Sequence, residues 1–514
     1  MRNSWKLHVA ALVSALAPVA AGAPLSAYPL WGSLEPGPYG VGFQTMFTYD
    51  LSRPPLTSTG QARGREMQVS VWYPAAAMEN PVHLRLEEYV SLNARELQFD
   101  PLTPEREAAA RSQFLQGPLA QGASGDKLQA LLRMETAAVR DAKPAPGRFP
   151  LVVFAHAAPT TASTMSELLA SHGFVVAAVP SKGTFETGYR HEMPDIETLI
   201  ADLQFVIATA RALDFVNGDQ LGVIGMSAGS VAALGLQMRN SRVAAVVSLD
   251  GGIGEERGSY LVTKTPYYDL SRLRVPLLHL FSPDNPYLDF SRLRSWRYSE
   301  RTLVKLPRMR HGDFLAYGIF ERLVPNILGP APGDTKSGFE WVCRYVRHFL
   351  QASLGGAAES RRFLANPPAA NGVPADLLSV ERLPALPPPL GTVELQAILD
   401  RDGIGKVVDL YRERKSADPQ PIARVAFLDV GKDLMNAKRY DQAKELFRLF
   451  VESFPASAEA HNAMASAALG LHDETLAKAH FEQALRLSSD DPNLDFWSRK
   501  KLEDTARRNL GPGR

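Results

Sequence analysis

Four short, uninterrupted apolar runs constrain this chain most: Leu151-Val152-Val153-Phe154, Phe174-Val175-Val176-Ala177, Leu221-Gly222-Val223-Ile224 and Val243-Ala244-Ala245-Val246-Val247. Runs that are apolar on both alternate faces suit parallel strands covered on both sides, where no face meets water. Between them lie residues 161–171, 195–213 and 228–239, each long enough for a crossover helix. This β-α-β alternation implies an α/β fold with a doubly wound, mostly parallel sheet, whose ligands bind at the carboxyl ends of the strands. Met67, Val69, Val71 and Tyr73 alternate as a further, half-buried strand would.

A chain of 514 residues exceeds one ordinary core and is expected to divide into domains. Residues 354–392 hold Leu354-Gly355-Gly356-Ala357-Ala358, Asn366-Pro367-Pro368-Ala369-Ala370 and Leu386-Pro387-Pro388-Pro389-Leu390. Such Pro and Gly density reads as a linker. Residues 29–353 then form the α/β domain. Residues 393–500 form a small all-α helical-repeat domain, because Ala443 and Phe447 recur 34 residues later as Ala477 and Phe481. That is the tetratricopeptide period, and 393–415 supply a degenerate neighbour or cap. Residues 87–140 read as a charged, helical insertion without a strand-like run, either a lid or a surface decoration.

Lys and Arg total 56 against 55 for Asp and Glu, so no overall field draws the chain to nucleic acid. The start of the chain carries Arg2 and Lys6, an apolar run to Ala17 and then Ala21-Gly22-Ala23, the form of a signal-peptidase site. Residues 1–23 are therefore expected to be a removed export signal, with the mature protein periplasmic or secreted. The apolar run is too short for a spanning helix. The sole cysteine, Cys343, cannot form an intrachain disulfide and falls in an amphipathic helical pattern that suits a buried structural thiol.

The run Leu221-Gly222-Val223-Ile224 leads directly into Gly225-Met226-Ser227-Ala228-Gly229 and then a helical stretch, which is the nucleophile elbow in its strand-turn-helix context. Ser227 is thus the candidate nucleophile. A serine hydroxyl needs a base, and in the order serine, acid, histidine the fitting residue is His311, just beyond the last strand-like stretch. His279 lies inside an apolar run and His348 in a helix. Two aspartates stand at strand ends between serine and base, Asp250 and Asp284. Periodicity does not choose between them. No metal-ligand spacing, phosphate-cradling glycine loop or dinucleotide fingerprint accompanies these residues, and no cofactor is expected.

Phe149-Pro150-Leu151-Val152-Val153-Phe154-Ala155-His156, residues 169–179, the Gly225–Gly229 elbow, Ser248-Leu249-Asp250 and the His311 loop together resemble the platelet-activating-factor acetylhydrolase family and its dienelactone-hydrolase-like relatives, of α/β-hydrolase fold. The resemblance covers roughly residues 36–320. It implies Asp250 as the acid, with Asp284 the alternate, and an oxyanion hole from the backbone N–H groups of Ala228 and Ala158. The family has His-Gly where this chain has His156-Ala157, and His156 reads as structural. The expectation is a serine esterase acting on a carboxylic ester, with a short-acyl phospholipid or another lipid ester as candidate substrate. The competing reading is an inactive hydrolase-fold scaffold that recruits a protein partner through its repeats.

Overall fold

The computed structural model describes residues 28–56, 64–97, 99–184, 188–491 and 493–511. The expected export signal, residues 1–23, lies outside them. Among the described residues the strands are β1 (Gly40–Asp50), β2 (Arg65–Ala75), β3 (His83–Arg85), β4 (Glu135–Arg140), β5 (Phe149–Ala155), β6 (Val175–Val179), β7 (Val216–Met226), β8 (Val243–Leu249), β9 (Leu277–Phe281), β10 (Arg301–Lys305) and β11 (Ser379–Leu383). They form a single sheet in the order β11-β10-β9-β8-β7-β5-β6-β2-β1-β4-β3. From β10 to β6 every neighbour is parallel, while β2 joins β6, and β11 joins β10, in antiparallel fashion.

This is a doubly wound, mostly parallel sheet of the α/β-hydrolase type. Its apolar runs divide by the two-residue period: Val152 and Phe154 enter one core, and Leu151, Val153 and Ala155 enter the other. Helices Pro159–Ser171 and Thr335–Gly355 cover the first face, and Met193–Arg211 and Gly229–Arg239 the second. Cys343 is fully buried in helix Thr335–Gly355, and burial pushes its thiol pKa well up, so no thiolate is available there. β5 pairs with β6 on one side and β7 on the other. The chain reverses its winding there, which puts a crevice at the carboxyl ends of β5 and β7.

Two stretches differ from the sequence reading. Residues 87–140 do carry helices, Pro104–Ala120 and Gly125–Leu132, but they end in a strand, β4, which pairs parallel to β1 with Val41 opposite Ala138. Thr136, Ala137 and Ala138 are buried there; the run is too short and too mixed to stand out. Residues 354–392, expected as a linker, carry helix Ala358–Ala365 and edge strand β11. Pro and Gly bracket these elements rather than fill them. Glu381 and Arg382 are exposed on this edge strand, where charge is common.

Beyond β11 the described residues form the helices Thr392–Lys415, bent at Gly403 (φ 79°), then Arg424–Asn436, Tyr440–Ser453, Ala458–Gly470, Glu474–Leu487 and Phe496–Leu510. The recurring residues Ala443, Phe447, Ala477 and Phe481 are all buried. A Cβ on Gly431 would fall 2.1 Å from the Phe447 ring, so the paired helices meet there by virtue of a missing side chain. This region is tied to the sheet domain by Tyr298, whose hydroxyl donates to Asp418 Oδ2 at 2.8 Å, and by Arg297, 3.4 Å from the same carboxylate. Among the described residues no helix is long and apolar enough to cross a membrane.

Candidate active site

β7 ends at Met226 and helix Gly229–Arg239 begins three residues later, which leaves Ser227 to make the turn. It does so at φ 53°, in the left-handed region that costs a side-chain-bearing residue energy. Two neighbours make the turn possible by having no Cβ: on Gly225 it would meet the Gly229 carbonyl at 2.5 Å, and on Gly229 the Ala155 oxygen at 2.6 Å. The Ser227 N–H donates to Leu249 O at 3.1 Å, and its carbonyl accepts from Ser230 Oγ at 2.7 Å and from Gly252 N at 3.1 Å. The elbow is therefore held from three sides.

Asp250 follows β8 directly and is likewise left-handed, at φ 38°. Its Oδ1 accepts the Ser282 N–H at 3.0 Å, and its Oδ2 lies 2.7 Å from His311 Nδ1. Because the carboxylate accepts, the proton of that bond is assigned to Nδ1, which leaves His311 Nε2 as an acceptor. His311 opens a short turn, His311–Phe314, fixed by Arg310. Arg310 donates to Asp313 Oδ1 at 2.9 Å and Oδ2 at 3.0 Å, and to Glu321 Oε2 at 2.9 Å.

Ser227, Asp250 and His311 open on one cleft of about 490 Å³. Asp284 lines it too, but its Oδ2 accepts the Arg308 N–H at 3.2 Å; of the two strand-end aspartates, Asp250 is the one bonded to His311. None of the described residues lining the cleft comes from 87–140. Ala228 and Ala158 each stand at a helix start, and Ala155 pairs with Gly225, so both alanines lie three residues past one register position of β5 and β7. Their N–H groups thus leave the same end of the sheet.

Three histidines surround this centre without joining it. His156, at φ 61° after β5, has its pKa lowered to about 4 by burial and by His191 and His311 nearby. Its ring centroid is 5.3 Å from Tyr189, and neither His156 Nδ1 nor the Tyr189 hydroxyl has a hydrogen-bond partner among the described residues. His279, fully buried in β9, has its pKa brought to about 4 by burial, and its Nδ1 lies 2.9 Å from Ser248 Oγ. Sequence reasoning assigned no role to Tyr189, His191 or Ser248, nor to Glu255 and Tyr287 in the cleft. Their shared signal is position alone, since all lie in or beside segments at the carboxyl ends of the central strands. Among the described residues, no group of three or more His, Cys, Asp or Glu is placed to hold a metal ion.

No protein-family model matches the chain, and no curated protein matches it. Among solved structures it is similar to the ferulic acid esterase from Streptomyces cinnamoneus, at 22% identity and a TM-score of 0.49, with 67% of this chain and 96% of that chain covered. The likeness is distant, and the chemistry below rests on the site itself.

Proposed function

We propose that this protein hydrolyses a carboxylic ester through an acyl-serine intermediate on Ser227, with His311 as base and Asp250 as the acid that orients it. The observation that carries the reading is the 2.7 Å contact between Asp250 Oδ2 and His311 Nδ1 in the cleft that also holds the strained Ser227 elbow. In this scheme Ser227 Oγ attacks the ester carbon while His311 Nε2 takes its proton. The tetrahedral oxyanion is met by the N–H groups of Ala228 and Ala158. The intermediate collapses, and the departing alcohol takes the proton back from the imidazolium that Asp250 has stabilised. Water repeats the sequence and releases the acid, restoring Ser227. A cleft of about 490 Å³ suits a small ester, short-acyl lipid esters included.

Replacing Ser227 by Ala tests this directly. Ester turnover should fall by roughly 10⁴-fold or more while the unfolding transition is retained; turnover at the parent rate would end the proposal.

A further inference from the structure

Asp284 takes no part in the scheme above, yet its carboxylate lines the Ser227 cleft. Glu255 lines it as well, with Oε1 accepting from Asn285 Nδ2 at 2.7 Å, a neutral partner that orients the group and leaves its charge intact. Opposing charge is scarce. Among the described lining residues Arg310 is the one arginine or lysine, and its guanidinium is already shared between Asp313 and Glu321. Arg308 follows β10, but its side chain runs along Gly333, where a Cβ would meet Arg308 Cβ at 2.9 Å and Cδ at 3.5 Å. Asp250 is buried and already bonded to His311 Nδ1 and to the Ser282 N–H. The wall therefore carries uncompensated negative charge from two carboxylates.

The half of the ester that meets this wall follows from the proton path. His311 protonates the leaving oxygen, so the alcohol portion lies on the His311 side, while the carbonyl oxygen faces Ala228 and Ala158. Asp284 is tied to the backbone of Arg308, three residues before His311, and so belongs to the alcohol side. Tyr287 stands on the same rim, 73% exposed, with its ring available to a cation.

We infer that the cleft is a subsite for an alcohol portion bearing a positive charge, an ammonium-carrying alcohol, and that it disfavours alcohols bearing a carboxylate, sulfonate or phosphate. This rests on the ester-hydrolase reading of the same site. The groups face water, so the discrimination is moderate in size and is screened by salt.

The test uses the full chain and three acetate thioesters of equal length whose thiol portion ends in a trimethylammonium, a tert-butyl or a sulfonate group. Thiol release is followed in the burst and in steady state, beside labelling by an uncharged fluorophosphonate. The expected order of kcat/KM is cation, neutral, anion, with about a tenfold spread or more at low ionic strength that shrinks at high salt. The double variant Asp284→Asn, Glu255→Gln should compress the spread toward unity. A labelled protein that shows no charge order in thiol release, or whose order survives the double substitution, overturns the inference and leaves the hydrolase reading standing. A folded protein that takes no label overturns both.

Discussion

His311 Nδ1 stands 2.7 Å from Asp250 Oδ2, and the other oxygen of that carboxylate is fixed by the N–H of Ser282. An amide in place of the carboxylate can donate to Nδ1 and so favour the wrong tautomer. Asp250→Asn should lower kcat by about 10⁴-fold with little change in the urea midpoint. A loss of only a few-fold would show that Asp250 does not orient the base.

The elbow is a packing problem before it is a chemical one. A Cβ on Gly229 would come 2.6 Å from Ala155 O and 2.9 Å from His156 Cβ. Gly229→Ala should therefore push β5 from the elbow and destabilise the domain by roughly 1–3 kcal/mol, read from denaturant unfolding. Activity should drop further than stability, because the same displacement moves the N–H groups of Ala228 and Ala158 apart.

Stability should depend on pH through the buried imidazoles. His279 is fully buried, and its folded pKa is depressed from 6.5 to about 4, so the unfolded chain takes up the proton first. Unfolding free energy should consequently fall as pH drops from about 6.5 to about 4, by as much as about 1.4 kcal/mol per pH unit for this one group, and level off below. His156, His172 and His348 are also depressed to about 4 and act in the same direction. His279→Asn should remove one proton's share of the slope. An unchanged slope would refute the assignment.

Tyr298 and Asp418 join the sheet domain to the helical region through a buried contact of 2.8 Å. Tyr298→Phe deprives a buried carboxylate of a donor and should cost about 1.5–3 kcal/mol at that junction. Limited proteolysis between residues 384 and 392 should speed up, while the Ser227 site keeps its labelling rate.

The central strands could be read from sequence because a strand buried on both faces is apolar without interruption, as in Leu151-Val152-Val153-Phe154. The elbow could be read because Gly225 and Gly229 are forced by close backbone approaches. Periodicity does not separate Asp250 from Asp284, since each follows an apolar strand; the family resemblance favours Asp250, and the three-dimensional path of the His311 turn brings the imidazole to Asp250. β4 and β11 escaped notice for a different reason. Edge or short strands such as Ser379–Leu383 draw their stability from one neighbour and carry charge outward, which erases the apolar signature. The acidic wall was equally hidden, because Glu255 and Asp284 come from segments 29 residues apart that meet only at the sheet's carboxyl end.

The central claim is that Ser227 is an activated nucleophile, and it is tested most directly by fluorophosphonate labelling of the folded protein followed by peptide mapping. The account predicts a single adduct on Ser227 that is lost in His311→Ala. An adduct elsewhere, or none at all in the folded protein, would contradict it.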